Sequence, residues 1–536
     1  MLVSNLFFSV IYKNNETSKK YLMTNQTSDN NKRIAKNAVF LYARMLLSII
    51  VSLYTSRIVL QTLGVEDYGI YGVVGGVVSM FTFLNSAMSG ATSRYLTFEM
   101  GKRNESRLKE TFSTAFIIHI GIAVAIFIIA ETVGLWILCN KMVIPEGRML
   151  AAHVVYQCSV IGMFFTITQV PYSAVIVAHE KMDIYAYVEL LNVGLKLAIV
   201  YALLVLNWDK LIIYSILMLL VSISISLIYR FYCNRHYKES HLSLVLNKQI
   251  MKPMLNFSTW NMLAECGYAF RVHGSNIVLN MFFGTIVNAA GGIATTVQGI
   301  LLGFVSNVVT AVRPQIIGNY SRGDLSRMNN LMLSSIRLNL FLVGVLTIPM
   351  YVNAPYVLNL WLGDVPTYCV DFCRLLLIAI FITSVSQIVT IGIHASGNLR
   401  LTSMVRNIIY ILTPIIIYVV LKIKLQNPVI GYVIIVLSQM IVCLTDIYIL
   451  HINIPQIKCL SIFVDYVKTF ITAVIIVCGI SVLNENRQTT FLTVCVNSIV
   501  EWALLFIAFW AFVFERYEKD MIKSSLTTLL KKITKV

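Results

Sequence analysis

Charge is scarce in this chain. Asp, Glu, Lys and Arg make up 12% of its 536 residues, about half the share in water-soluble domains, while hydrophobic residues reach 57%. That shortage excludes a string of soluble domains, and no polar stretch between the apolar ones is long enough to hold one. Enzyme signatures are missing as well. There is no GxxxxGK(S/T) phosphate loop, no HExxH, no GxSxG and no Asp-x-Asp pair on a loop, which argues against ATP hydrolysis within the chain and against the common hydrolases. The ten cysteines are scattered, mostly inside apolar runs. The nearest pair, Cys369 and Cys373, lacks partners for a metal, so all ten read as reduced packing residues and no cofactor or metal is expected.

What is present is a long series of apolar runs of about 20 residues, the length that crosses a hydrocarbon core of roughly 30 Å. Breaks at charged and Pro/Gly-containing turns place spans near 37–61, 68–92, 111–139, 149–177, 184–206 and 211–231. A second series lies near 256–282, 286–312, 330–352, 369–393, 402–424, 428–450, 462–483 and 490–514. The expected fold class is an all-α integral membrane protein of about fourteen transmembrane helices. Its formal charge of +17 would raise the question of nucleic acid in a soluble chain, but a bilayer explains it better. Basic residues gather on the side of the N-terminus: Lys32, Arg33 and Lys36, then Lys102, Arg103, Arg107 and Lys109, then the loop around Arg235, and finally the tail from Arg516 to Lys535. Cytoplasmic loops accumulate Lys and Arg, so both termini are expected in the cytoplasm and the chain in a bacterial inner membrane.

The chain also resembles itself. Ser56-Arg57-Ile58-Val59-Leu60 recurs as Ser275-Asn276-Ile277-Val278-Leu279, and Asn104 and Arg107 match Asp324 and Arg327 at a spacing one residue longer. Two six-helix halves of parallel topology follow. The expected division is a basic tail over 1–36, an N-lobe over 37–231, a linker over 232–255, a C-lobe over 256–450, two extra helices over 462–514 and a basic amphipathic tail over 515–536.

Basic residues inside the spans are the functional signal: Arg44, Arg57, Lys196, Arg271, Arg337 and Lys468. A central cation costs about 2.5 to 3.5 kcal/mol in lipid, which favours a wet or paired position. Lys468 can snorkel from its helix entrance and Arg337 can in part, while Arg57, about a turn from the outer end, is open to either reading. Glu189, Asn192 and Lys196 share one stripe of the fifth span. Asn261, Glu265, Tyr268, Arg271 and Ser275 fall within an arc of about 120° on the seventh, with His273 off it. Two polar faces in different halves suggest a shared central cavity. The plainer alternative is that Glu189 with Lys196 and Glu265 with Arg271 are buried ion pairs, although seven residues of rise, about 10.5 Å, keep the first two apart along one helix. Arg44 and Arg57 point about 140° from each other, and Arg44 is the better cavity candidate. Fixed positive charge in such a cavity suits an anion, and pyrophosphate above all. Glu131 and Glu501 could couple a proton or a sodium ion, or could simply be interfacial.

The run from Ser56 to Gly72, SRIVLQTLGVEDYGIYG, followed by Phe81 to Arg94, FTFLNSAMSGATSR, resembles the opening of bacterial polysaccharide-biosynthesis flippases of the Wzx type. These belong to the multidrug/oligosaccharidyl-lipid/polysaccharide exporter superfamily. The resemblance implies a V-shaped pair of six-helix lobes around a cationic cavity that opens alternately to each side. It implies an undecaprenyl-pyrophosphate-linked oligosaccharide as substrate, helices 13 and 14 as a groove for its tail, and membrane lipids and a glycan polymerase as partners. Gly64, Gly69 and Gly72 match the family pattern by type and spacing, but close helix packing and a tight outer turn explain them without a ligand. A cation-coupled multidrug exporter of the same superfamily is the alternative, disfavoured by the basic excess. A membrane glycan polymerase or ligase is a further one, disfavoured because the longest outer loop, about 353–367, is short, so no enzymatic activity is expected.

Residues 2–12 form an apolar run too short to span and without a basic region before it, and translation is expected to start at Met23. Intact-mass spectrometry of the native protein is expected to find a chain that begins there; a mass that includes residues 1–22 would refute it.

Overall fold

The structure, a computed structural model, describes residues 25–80, 82–101, 104–179, 181–206, 208–241, 247–423, 427–484, 490–520 and 523. The expected start at Met23 and most of the expected surface helix over 515–536 lie outside the described residues. A bilayer offers no water to backbone N–H and C=O groups, so a chain of this composition must close its hydrogen bonds within helices. Among the described residues the regular structure is helical throughout. The first half comprises α1 (Asn25–Ser79), α2 (Thr82–Gly101), α3 (Glu105–Ile129), α4 (Leu135–Asn140), α5 (Met149–Ala178), α6 (Met182–Val205) and α7 (Lys210–His236). The second comprises α8 (Lys248–Ala269), α9 (Ser275–Phe283), α10 (Thr285–Ser321), α11 (Leu325–Val352), α12 (Ala354–Leu362), α13 (Cys369–Ser396), α14 (Arg400–Lys422) and α15 (Val429–Asn453). Two more follow, α16 (Cys459–Asn484) and α17 (Phe491–Ala508).

Eleven segments among the described residues are long and apolar enough to cross a membrane, which makes this a multi-pass membrane protein. The other three expected spans, 37–61, 68–92 and 256–282, are also helical, along α1, α2 and α8 to α9, but are not among the eleven. The expected second span is interrupted: α1 continues to Ser79, and a turn at Met80 separates it from α2. Single π-helical turns join α3 to α4 (Ala130–Gly134) and α8 to α9 (Phe270–Gly274), and a third follows α17 (Phe509–Val513). Such turns insert a residue into the ladder and are frequent at functional sites.

The internal likeness has a geometric counterpart. α1 bends at Gly64 (φ 82°, ψ 167°), and the break between α9 and α10 falls at Gly284 (φ 75°, ψ −166°), a backbone conformation that L side chains rarely adopt. Asn104 caps α3 by accepting the Arg107 N–H at 3.0 Å, and Asp324 caps α11 by accepting the Arg327 N–H at 3.0 Å. The matched residues therefore do the same work at the start of the third long helix in each copy.

Successive long helices alternate in direction, so their turns fall at two ends. The basic end carries the turns at Asn104, His179, Tyr237, Gly323, Gly397 and Ile457; the opposite end carries Gly64, Arg148, Asp209, Gly284 and Gly363. Two clusters of buried apolar side chains draw on residues 59–233, and the largest cluster draws on 279–514 plus Leu60. At the opposite end the first half is tied by Arg148, which precedes α5. Its Nε donates to Asp67 Oδ1 at 2.8 Å, its Nη2 also reaches Asp67, and its Nη1 pairs with Asp209. Asp209 in turn caps α7.

The two halves meet most closely where α1 crosses the start of α10. Gly69 lies against Thr285 so tightly that a Cβ there would fall inside the carbonyl oxygen, whereas a Cβ on Gly72 would meet nothing within 4 Å. Gly69→Ala is therefore expected to force the halves apart and to lower the thermal midpoint in detergent by several degrees, about 1 to 3 kcal/mol for an overpacked contact, while Gly72→Ala changes little. Equal midpoints for the two variants would contradict this close approach.

Candidate functional site

The deepest unpaired cation lies on the second half's first long helix. Arg271 occupies the π-helical turn between α8 and α9 and is 5% exposed. Its guanidinium sits between two rings, 5.0 Å from the centroid of Tyr268, one turn back on α8, and 5.0 Å from that of Tyr410 on α14. The Tyr410 hydroxyl is fixed by donating to Gln439 Oε1 on α15 at 3.1 Å. Asn407 holds α14 against α8 by accepting the Gly267 N–H at 2.8 Å. Stacking stabilises the cation through the faces of the guanidinium, worth about 0.5 to 2 kcal/mol. It leaves the in-plane N–H groups free: Nε is buried without a partner, and Arg271 makes no hydrogen bond or ion pair among the described residues.

Two other arginines within the helices, Arg337 and Arg406, are paired with carboxylates. The sequence places Arg337 as a partly snorkelling residue, and the structure corrects this. Its side chain is 4% exposed and donates to Asp465 on α16 at 2.7 Å, to Glu515 at 2.6 Å and to Glu518 at 3.2 Å. Arg406 stands inside α14. It donates through Nε to Asp446 at 2.9 Å and through Nη2 to Asp446, Ser386 and Thr390. Asp446 is fully buried, and a carboxylate inside the 428–450 apolar run was the signal that could have found the pair.

Arg57 is placed at the opposite end, not beside Arg271. Its Nη1 donates to the Leu360 carbonyl at 3.4 Å, at the C-terminus of α12, where the helix dipole favours a cation. Gln61 donates to the Leu362 carbonyl at 2.9 Å and Trp361 Nε1 to the Leu53 carbonyl at 2.8 Å, so α12 is docked across α1. Nearby, Asn280 exchanges hydrogen bonds with the backbone of Val143. These contacts close the seam between the halves at the opposite end.

Glu189, Asn192 and Lys196 are half-buried on α6, and none has a hydrogen bond or ion pair among the described residues. The main neighbours of α6 are α1, α5 and α7, and those of α8 are α2 and α14, so the two polar stripes belong to separate packing units. Tyr268 is 44% exposed beside Arg271. Arg44 lies in α1 and Asn261 and Glu265 in α8, but their side chains are outside the described residues, and so is the alternative pairing of Glu265 with Arg271. Glu131 accepts from Gln157 Nε2 at 3.1 Å. One cavity went unanticipated: about 820 Å³ at the basic end, lined by Asn319, Arg322, Arg327, Lys458, Tyr517 and Glu518 among others.

No family model matches the sequence, and no curated protein matches it. Solved structures do. The lipid II flippase MurJ in an inward closed conformation superposes with a TM-score of 0.65 at 11% identity, over 88% of this chain and 99% of that one. An inward-facing multidrug resistance MATE family transporter of the MOP superfamily gives 0.61 at 14% identity over 79% and 99%, and an outward-facing one 0.56 at 15% over 79% and 96%. The fold thus defines the class: an all-α, two-lobed membrane protein with the architecture of these transporters.

Replacing Arg337 with Ala leaves Asp465 and Glu518 buried without a cation, so it is expected to cost about 3 to 5 kcal/mol and to release α16 and α17 from α11. Faster limited proteolysis after α15 in detergent would register the release, and an unchanged digestion pattern would contradict it.

Proposed function

We propose that this protein flips an undecaprenyl-pyrophosphate-linked oligosaccharide from the cytoplasmic to the periplasmic leaflet of a bacterial inner membrane, for polysaccharide or O-antigen assembly. One observation carries the reading: Arg271 is a buried guanidinium held by two tyrosine rings, with no carboxylate paired to it among the described residues and its Nε buried without a partner. A phosphate oxygen pair is the ligand that such a fork accepts bidentately. Lys196 on α6, without a partner, and Arg44 on α1 supply further positive charge from the first half, with Asn192, Glu189, Asn261, Glu265 and Tyr268 offering neutral and acidic groups to the sugars. The fold's likeness to a lipid II flippase supports a lipid-linked substrate.

Translocation needs the substrate to lose access on one side before it gains it on the other. With the basic end in the cytoplasm, as the distribution of Lys and Arg supports, the contacts of Arg57, Gln61 and Trp361 with α12 and of Asn280 with Val143 form the periplasmic closure. The substrate headgroup meets Arg271 from the cytoplasmic side, and rocking of the halves breaks that closure.

The likeness to multidrug transporters supports a second reading, export of an organic cation. Such a substrate needs a carboxylate in a cavity that lacks excess positive charge; Asp446 is already engaged by Arg406, and Glu189 shares its helix stripe with Lys196, which favours the anionic lipid. Arg271→Ala is expected to abolish complementation of a flippase-null strain at a normal membrane level. Arg271→Lys, which keeps the charge but loses the planar fork, is expected to cut flipping by about tenfold. Full complementation by Arg271→Ala would overturn the assignment.

A further inference from the structure

Glu501 is the only charged residue in the segment Phe491–Val513, and it is 1% exposed. Neither of its carboxyl oxygens has a hydrogen-bond partner among the described residues. Its position follows from its neighbours on α17. Trp502 Nε1 donates to the Val345 carbonyl at 2.8 Å, Leu505 fills the space over Gly344, and Phe509 packs edge-on against Phe341 at 5.3 Å. α11 and α17 run antiparallel, so Glu501, one turn before Leu505, is level with Thr347 and Ile348. The Thr347 hydroxyl is already spent on the Val343 carbonyl at 2.8 Å.

Among the described residues no cation pairs with it. On α11, Arg337 is committed to Asp465, Glu515 and Glu518 toward the basic end, Arg327 lies in the helix's first turn there, and Tyr351 carries Arg374 over its ring. On α16, Asp465 belongs to the Arg337 cluster, Lys468 is exposed, and Tyr466 stacks on Phe470. Cys478 borders an apolar hollow with Thr347 and Tyr351, and Cys459 on α16 and Cys495 on α17 form no disulfide. A buried carboxyl group with no cation to pair with is the kind of group that exchanges a proton with water and not a counter-ion.

We propose that Glu501 is a proton-binding site whose occupancy is tied to the contact of α17 with α11, and that it couples transport to a proton gradient. The exchange is simple in its balance. A carboxylate oxygen takes one proton from water when the seam is open, an O–H bond forms, and α17 closes over the neutral acid; reopening returns the proton to water. The coupling role rests on the transport reading above, whereas the protonation does not.

Two measurements on the full chain separate these claims. Dicyclohexylcarbodiimide, which attacks protonated carboxyls in apolar surroundings, is expected to label Glu501 at neutral pH in wild-type protein in nanodiscs and to spare exposed Glu515. Peptide mass spectrometry that finds Glu501 unlabelled would overturn the proton site, and this arm needs no variant. In proteoliposomes, the ratio of lipid-linked oligosaccharide flipping with an imposed pH gradient to that without one is expected to exceed one for wild type and to fall to one for Glu501→Gln. An unchanged ratio in that variant, or a ratio of one in wild type, would overturn the coupling. A wild-type protein that flips nothing but is labelled at Glu501 would instead count against the flippase reading alone.

Discussion

The structure is governed by what it costs to hold an ionised side chain away from water. Four arginines among the described residues meet that cost in one of two ways. Arg148, Arg337 and Arg406 are neutralised by carboxylates, and each joins helices that would otherwise share only apolar contacts. Arg271 is held by tyrosine faces instead, so its charge is retained and not cancelled. The first arrangement fixes helices to one another. The second keeps a charge in reserve for something that comes from outside, and a polar lipid headgroup is the natural visitor.

The placement of the ionic ties divides the molecule mechanically. In the first half the Asp67, Arg148 and Asp209 cluster lies at the opposite end, where it gathers the bend of α1 and the starts of α5 and α7. In the second half the Arg406 and Asp446 pair binds α13, α14 and α15, and the Arg337 cluster binds α11 to the two extra helices. Each half is thereby stiffened within itself, except along α17, which among the described residues is tied to α11 by charge only toward the basic end. Between the halves, the described polar contacts at the opposite end are mostly single hydrogen bonds to backbone, individually worth about 0.5 to 1.5 kcal/mol, and such bonds can be exchanged without stranding a charge.

Much of this architecture was legible in the residues. Apolar run lengths gave the helix order, because a span of given thickness demands a given number of residues. Asn104 and Asp324 could be matched because turn chemistry is local: the bond that Asn104 makes reaches only Arg107. The partners of the charges could not be read in the same way. Arg337 meets residues 128 and 181 positions away, and Arg57 meets a carbonyl 303 positions away. No periodicity encodes which of several antiparallel helices will be neighbours. Arg337 therefore read as a residue reaching for the interface, and Asp446 went unremarked beside the more visible basic residues. The stacking of Arg271 on Tyr410 was hidden for the same reason, although Tyr268, three residues away on one face, was within reach of the helical pattern.

The meeting of Gly69 with Thr285 brings backbone against backbone with no side chain between them. A contact of that kind cannot slide as a cushioned one can; it acts as a fulcrum. α10 begins there and runs for 37 residues, a lever of about 55 Å. Turning it by about 10° on that point would carry the far tip about 10 Å while the near tip hardly stirs. A small rearrangement at one membrane surface would thus become a wide aperture at the other.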